Sequence, residues 1–200
     1  MSGADEATLA FYEREAETYI ARGRNLPRTA LDAFIAALPA GARVLELGCG
    51  GGEDAEALIA AGFDVEPTDG SPAMAAIAER RLGRSVRVMR FDELDAAEAY
   101  DGVWANASLL HAREQALPDI FNRIHRALKP GGIFYATFKA GEGGDRDALG
   151  RYYNFPTEES LRAALEGAGD WRLSIETGQG GGYDNVIRTW LAVTAIKPEN

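Results

Sequence analysis

Val44-Leu45-Glu46-Leu47-Gly48-Cys49-Gly50-Gly51-Gly52-Glu53-Asp54 runs from a short apolar stretch into a glycine-rich turn and on into an alanine-rich segment. The pattern predicts a buried strand, a ligand-binding loop and a helix. Glycines at 48, 50 and 52 remove side chains where the backbone must turn sharply and approach a bound molecule closely, and the helix behind them offers unpaired N–H groups. A nucleotide-like ligand is expected. A dinucleotide fingerprint, G-x-G-x-x-G, needs its third glycine where this chain has Glu53, and it sets a pyrophosphate at the helix N-terminus. Glu53 and Asp54 would repel that pyrophosphate. Together with Glu46 they suit a phosphate-free ligand with positive charge, such as S-adenosyl-L-methionine with its sulfonium and ammonium groups.

Glu46 to Gly52 resembles motif I of the class I S-adenosylmethionine-dependent methyltransferases. The resemblance continues through Asp69-Gly70-Ser71-Pro72-Ala73-Met74, Tyr100-Asp101-Gly102-Val103-Trp104 and Leu128-Lys129-Pro130-Gly131-Gly132, in the family's order and at its intervals, over roughly the whole chain. It implies an α/β fold: a single Rossmann-like, doubly wound domain with a seven-stranded, mostly parallel sheet, a C-terminal antiparallel hairpin and helices on both faces. One domain would span 1–200, with residues 1–40 forming part of a lid and 41–200 the core. The implied activity is methyl transfer from S-adenosyl-L-methionine to a small-molecule acceptor, and the resemblance is nearest the tellurite-resistance and ubiquinone-biosynthesis types. The N/D-P-P-Y/F motif of amino methyltransferases acting on DNA is missing, as are the several cysteines that arsenite methylation would use.

Composition agrees. Two hundred residues, 46% of them hydrophobic, suffice for one α/β domain and are too few for two. A net charge of −10 argues against a nucleic-acid partner. No run is apolar enough to span a bilayer and the opening Met1 to Glu6 is acidic, so a soluble, cytoplasmic protein with no membrane partner is expected. The single cysteine, Cys49, leaves no internal disulfide, and two histidines without clustered thiols leave no recognisable metal site.

The element order follows from periodicity. Helices are expected over Ala7–Arg22, with Leu9, Tyr12, Ala16, Tyr19 and Ile20 on one face, and over Pro27–Leu38 as scaffold beside the first strand. Phe63–Thr68 and Ser85–Arg90 read as the second and third strands, the third at an edge. A short helix is expected over Asp92–Ala99, then a fourth strand over Asp101–Asn106. A helix opening at Pro118 ends at the Lys129–Gly132 motif, with His125 at its boundary, and Ile133–Lys139 forms the fifth strand. A long loop over Ala140–Pro156 is a candidate lid. Arg172–Thr177 and Val186–Ile196 form a hairpin with a glycine-rich tip.

Site residues follow from these placements. The loop supplies Glu46, Gly48, Cys49 and Gly50 to the donor. Asp69 ends the second strand twenty-one residues after Gly48, the spacing at which an acidic side chain accepts ribose hydroxyls, and Gly70 and Ser71 share its motif. Ser71 followed by Pro72 also reads as a helix N-cap. The resemblance gives Phe91 and Asp92 to the adenine, with capping the alternative role of Asp92, and Tyr12 and Tyr19 to a lid over the donor, with packing the alternative. Asn106, Ala107 and Ser108 stand at the switch point of the sheet, where the transferable methyl group is expected. His111, the sole histidine near that point, is the candidate general base, against a structural role bonded to backbone. A noncatalytic S-adenosylmethionine-binding or partner-binding module and, less favoured because of Glu53, a nicotinamide-dependent oxidoreductase are the alternatives.

Overall fold

β1 (Arg43–Leu47) is the axis of the computed structural model, which describes residues 3–23, 27–182 and 186–199. Before it come α1 (Glu6–Ala21) and α2 (Arg28–Ala37). After it come α3 (Glu53–Ala60), β2 (Asp64–Asp69), α4 (Pro72–Leu82), β3 (Arg87–Val88), β4 (Tyr100–Ala105), α5 (Leu117–Ala127) and β5 (Leu128–Lys139). β6 (Gly144–Arg146), β7 (Tyr152–Asn154), α6 (Glu158–Glu166), β8 (Arg172–Gly181) and β9 (Ile187–Ile196) complete the chain. The seven-stranded sheet has the order β3-β2-β1-β4-β5-β9-β8. β1 pairs in parallel with both β2 and β4, so strand order reverses there, while β9 runs antiparallel to β5 and β8.

Alternation along the strands fills both faces. Leu45, Leu47, Val103, Phe134 and Phe138 meet Ile120, Phe121 and Ile124 of α5 and Leu161 and Leu165 of α6. Val44, Trp104 and Tyr135 meet Leu31 and Phe34 of α2 and Leu58 of α3 on the other face. Trp104, fully buried, stacks on Tyr135 at 4.3 Å, and the indole N–H donates to Asp54 Oδ2 at 2.9 Å. α2 is thus scaffold, as expected. α1 lies outside these layers, with Ala16 packed on Met74 and Ile77 of α4.

Several expectations are corrected. The third strand pairs only over Arg87–Val88, because the Val86 N–H is taken by Glu79 Oε1 at 3.0 Å and Val86 turns into a side cluster. In place of a helix over Asp92–Ala99 there is a single 3-10 turn, Phe91–Glu93. The N–H groups of Glu98 and Ala99 bond to Arg126 and Ala127 carbonyls instead of continuing it. The Gly178–Gly181 stretch is not a loose tip but an extension of β8, paired as far as Ile187. A Cβ at Gly180 would lie 3.1 Å from the Trp190 ring, so glycine lets that indole cross the strand and donate to Gly180 O at 3.2 Å. Tyr183, Asp184 and Asn185 of the expected tip lie outside the described residues. The Ala140–Pro156 segment contains the antiparallel hairpin β6–β7 rather than an unstructured loop. α5 ends at Ala127 as the motif requires, but the next strand starts at once: Leu128 pairs with Tyr100, Lys129–Gly132 arch out, and pairing resumes at Ile133.

Candidate active site

A cavity enclosing about 110 Å³ lies between α1 and the carboxyl ends of β1, β2 and β4. The loop after β1 builds one wall. Gly48 has φ +76°, and a Cβ there would sit 2.6 Å from Ser108 Cβ, so no larger residue fits. The Gly48 and Cys49 N–H groups bond to Thr68 O, while Gly50 N–H donates to Asp69 Oδ2 at 2.9 Å. Asp69 Oδ1 accepts the Ser71 N–H at 2.9 Å. Burial pushes the Asp69 carboxyl up to about 6 against these two hydrogen bonds.

Beyond β4, Ala107 takes φ +51°, unusual for a residue with a side chain, and its N–H is held by Thr137 Oγ1 at 2.8 Å. Ser108 follows, 6% exposed, with its Oγ buried and lacking a hydrogen-bond partner. His111 ends the next turn. Its Nδ1 lies 2.7 Å from the Tyr152 carbonyl oxygen and its Nε2 lies 2.8 Å from the Tyr12 hydroxyl, which also receives Arg151 Nη1 at 3.2 Å. Burial drives His111 down to about 3, helped by the charges of Arg151 and Lys139 and opposed by the Tyr152 carbonyl. Burial likewise raises Tyr12 well above the usual phenol range. Tyr12 and Tyr19 meet edge to face at 5.1 Å.

An N-terminal strap closes the far end. Gly3 N–H donates to Asp92 Oδ2 at 2.8 Å, leaving Asp92 Oδ1 buried without a hydrogen-bond partner, and Ala4 bridges to Ala112. Asp5 caps α1 by accepting the Thr8 N–H and binds Arg146 and Arg113.

Ten of the expected residues therefore meet on one cavity: Tyr12, Tyr19, Gly48, Gly50, Asp69, Gly70, Phe91, Ala107, Ser108 and His111. Five do not line it. The Glu46 side chain is buried in the sheet, Cys49 packs with Ala75, Ala78 and Val86, and Ser71 caps α4 and donates to Glu13 Oε2. Asp92 stands behind the strap, and Asn106 bonds to Asp54 and Thr137. Glu53 and Asp54 do not face a ligand either. Glu53 pairs with Arg81, and Asp54, 1% exposed, holds Trp104 and Asn106. Their negative charge is spent inside the fold, which corrects the role expected from their place after the loop.

Sequence reasoning missed Asp5, Thr8, Met89 and Arg90 on the cavity, and Glu13 and Arg151 behind it. Asp5 carries a local signal, an N-cap residue three before Thr8. Glu13 carries none, since its partners lie 58 and 60 residues away, and the local pair of Arg151 with Asp147 does not point to Tyr12, 139 residues away. His125 is a boundary residue as expected, packed edge-on against Trp171 at 4.7 Å.

The family model described as a methyltransferase domain matches residues 12–169. The chain belongs to the class I S-adenosylmethionine-dependent methyltransferases. This methyltransferase domain is 40% identical over 107 residues to trans-aconitate 2-methyltransferase of Variovorax paradoxus (strain S110), a match covering 48% of this chain and 38% of the relative. It is 32% identical over 141 residues to malonyl-[acyl-carrier protein] O-methyltransferase of Enterobacter lignolyticus (strain SCF1), covering 68% and 55% respectively. The chain thus spans only about a third to a half of the curated relatives' length. Among solved structures, Burkholderia thailandensis 1,6-didemethyltoxoflavin-N1-methyltransferase, bound to 1,6-didemethyltoxoflavin and S-adenosylhomocysteine, superposes with a TM-score of 0.69. It is 25% identical, over 94% of this chain and 88% of that one. No described helix of the methyltransferase domain is long and apolar enough to cross a membrane.

Proposed function

We propose that this chain transfers the methyl group of S-adenosyl-L-methionine to a small-molecule acceptor. One observation carries the reading: a single cavity joins Asp69 and the Gly48–Gly50 loop at one end to Tyr12, Tyr19 and His111 at the other. The residues present fit the donor. Gly48 leaves a cradle that a Cβ would fill, and Ser108 Oγ, on the cavity, is a buried polar atom with no hydrogen-bond partner. Asp69 would accept the ribose hydroxyls, Phe91 would lie against the adenine ring, and Ser108 would meet the end nearest Gly48, while Asp92 would reach the adenine amino group only if the Gly3 strap that bonds its Oδ2 moved aside. When bound, the donor supplies an electrophilic methyl on a sulfonium, whose charge the faces of Tyr12 and Tyr19 would attract.

The chain's own part is to orient and to exclude water. α1 is the lid, tied to α4 through Glu13 and to the β6–β7 hairpin through Asp5 and Thr8. The trans-aconitate and toxoflavin enzymes, named for small-molecule substrates, support a small-molecule acceptor. Membership of the tellurite-resistance and ubiquinone-biosynthesis type, action as one unit over 1–200 and a cytoplasmic location belong to the same proposal. Thermal melting tests it: donor, or its demethylated product, at about one hundred times its dissociation constant adds about 2.7 kcal/mol to stability. Stabilisation by a nicotinamide dinucleotide alone overturns it.

A further inference from the structure

The acceptor end of the cavity is closed by a hydrogen-bonded chain with a fixed direction. A carbonyl oxygen only accepts, so at 2.7 Å from Tyr152 O the His111 Nδ1 must carry the ring proton, and Nε2 is the bare nitrogen. The Tyr12 hydroxyl, 2.8 Å away, therefore donates to Nε2, while its oxygen receives Arg151. Asp147 binds that guanidinium at 2.6 Å and keeps it in place, with Arg151 itself 1% exposed. The imidazole has no lone pair left for an acceptor's proton.

The charges packed around the ring oppose an imidazolium as well. Arg151, from the segment before β7, and Lys139, at the end of β5 with its ammonium 3.9 Å from the centre of the Tyr153 ring, are cations. Asp147 is one carboxylate against those two, and α1 contributes the phenols of Tyr12 and Tyr19. Burial acts in the same direction on His111 and resists ionisation of Tyr12.

We propose that the acceptor is a small-molecule carboxylate, methylated on an oxygen already ionised at neutral pH, and that no side chain removes a proton. The proposal rests on the methyl-transfer reading above. A C–O bond forms at the carboxylate as the donor's C–S bond breaks, and the electron pair of that bond stays on sulfur. A sulfonium and a carboxylate give a thioether and a methyl ester, and no proton moves. Loss of both charges is favoured where water is excluded, as beneath α1 and the strap. An alcohol, thiol or ammonium acceptor would need a base, and this wall offers none. Tyr12 and His111 are then positioning residues of the acceptor pocket, set by Arg151.

Two measurements test this. The chain holds only two histidines, so a His125→Gln variant of the whole chain assigns the ring resonances of His111. The expected result is a neutral, Nδ1-protonated ring throughout the range around neutrality. In parallel, labelled methyl transfer is measured with a panel of di- and tricarboxylic acids and with a panel of phenols, thiols and amines lacking carboxyl groups. Transfer to the acids is expected, with the label released as methanol by mild alkali. Its kcat/KM should vary by no more than about twofold across neutral and mildly alkaline pH. His111→Gln should lower kcat/KM by about tenfold through KM without bending that profile. A His111 titration near its usual value, transfer confined to the second panel, or a rise with pH that His111→Gln abolishes overturns the inference and leaves methyl transfer standing. Absence of donor binding, or binding with transfer to neither panel, overturns the methyltransferase reading and this inference with it.

Discussion

Replacing Asp5 by alanine should unlatch α1 from the rest of the site. The carboxylate is 1% exposed and accepts from Thr8 N at 3.0 Å, Thr8 Oγ1 at 2.9 Å, Arg146 Nη2 at 2.7 Å and Arg113 Nη2 at 3.2 Å. The hydrogen bond from Arg146 leads the interactions that hold its pKa down, from 3.8 to about 2. At about 1.4 kcal/mol per pKa unit, that shift corresponds to about 2–3 kcal/mol of stability at neutral pH. Loss of an N-cap alone costs about 1 kcal/mol. The two overlap, because the Thr8 N–H contributes to both, so the expected loss is about 2–3 kcal/mol rather than their sum. Arg146 and Arg113 are half-exposed and return to water at little cost.

The folded pKa lies below the unfolded one, so this stabilisation is present above about 3.8 and disappears as pH falls through about 2. Urea denaturation of Asp5→Ala should therefore show a lower midpoint at neutral pH and a gap that closes toward pH 2. Amide exchange should quicken over residues 6–22 more than over β1 and β4, because the tie is local to the helix end. An unchanged midpoint at neutral pH, or a gap that persists at acid pH, refutes the reasoning.

Three further outcomes are expected. Asp69→Ala should weaken donor binding by about 1.5–3 kcal/mol while the protein stays folded, and unchanged affinity by calorimetry would place the ribose elsewhere. Because the Asp69 pKa is raised to about 6, donor affinity should fall as pH drops through that value. The same group should stabilise the ligand-free protein most below its unfolded value of 3.8 and lose that effect as pH rises through about 6, which pH-resolved melting can detect. Gly48→Ala should cost at least about 1–2 kcal/mol from its φ of +76° alone, with the Ser108 contact adding to it; a wild-type urea midpoint would show that the loop can relax. Donor should protect residues 10–22 and 141–155 from amide exchange together with the glycine loop, and protection confined to the loop and the surroundings of Asp69 and Asp92 would reduce α1 and the hairpin to packing elements.

The sequence by itself determined what short-range chemistry dictates. Glycines at 48, 50 and 52 need left-handed backbone and take it, Ser71 before Pro72 caps α4, and alternation along β1 and β4 sends neighbouring residues to opposite faces of the sheet. Order and spacing of the motifs then carried the topology, and with it the meeting of Asp69, Ser108 and His111 at one end of the strands. Tertiary structure alone decided where charges and protons go. Glu53 and Asp54 look like ligand-facing carboxylates in the chain, yet in the fold they satisfy Arg81 and Trp104. The Gly178–Gly181 stretch reads as a loop and is held as strand by its pairing with β9 and the Trp190 ring. His111 has the composition of a base, and three residues from two distant segments turn it into a neutral, fully bonded wall. Periodicity and caps act over one or two turns of chain, whereas a side chain's protonation and partners depend on groups that only folding brings within hydrogen-bond distance.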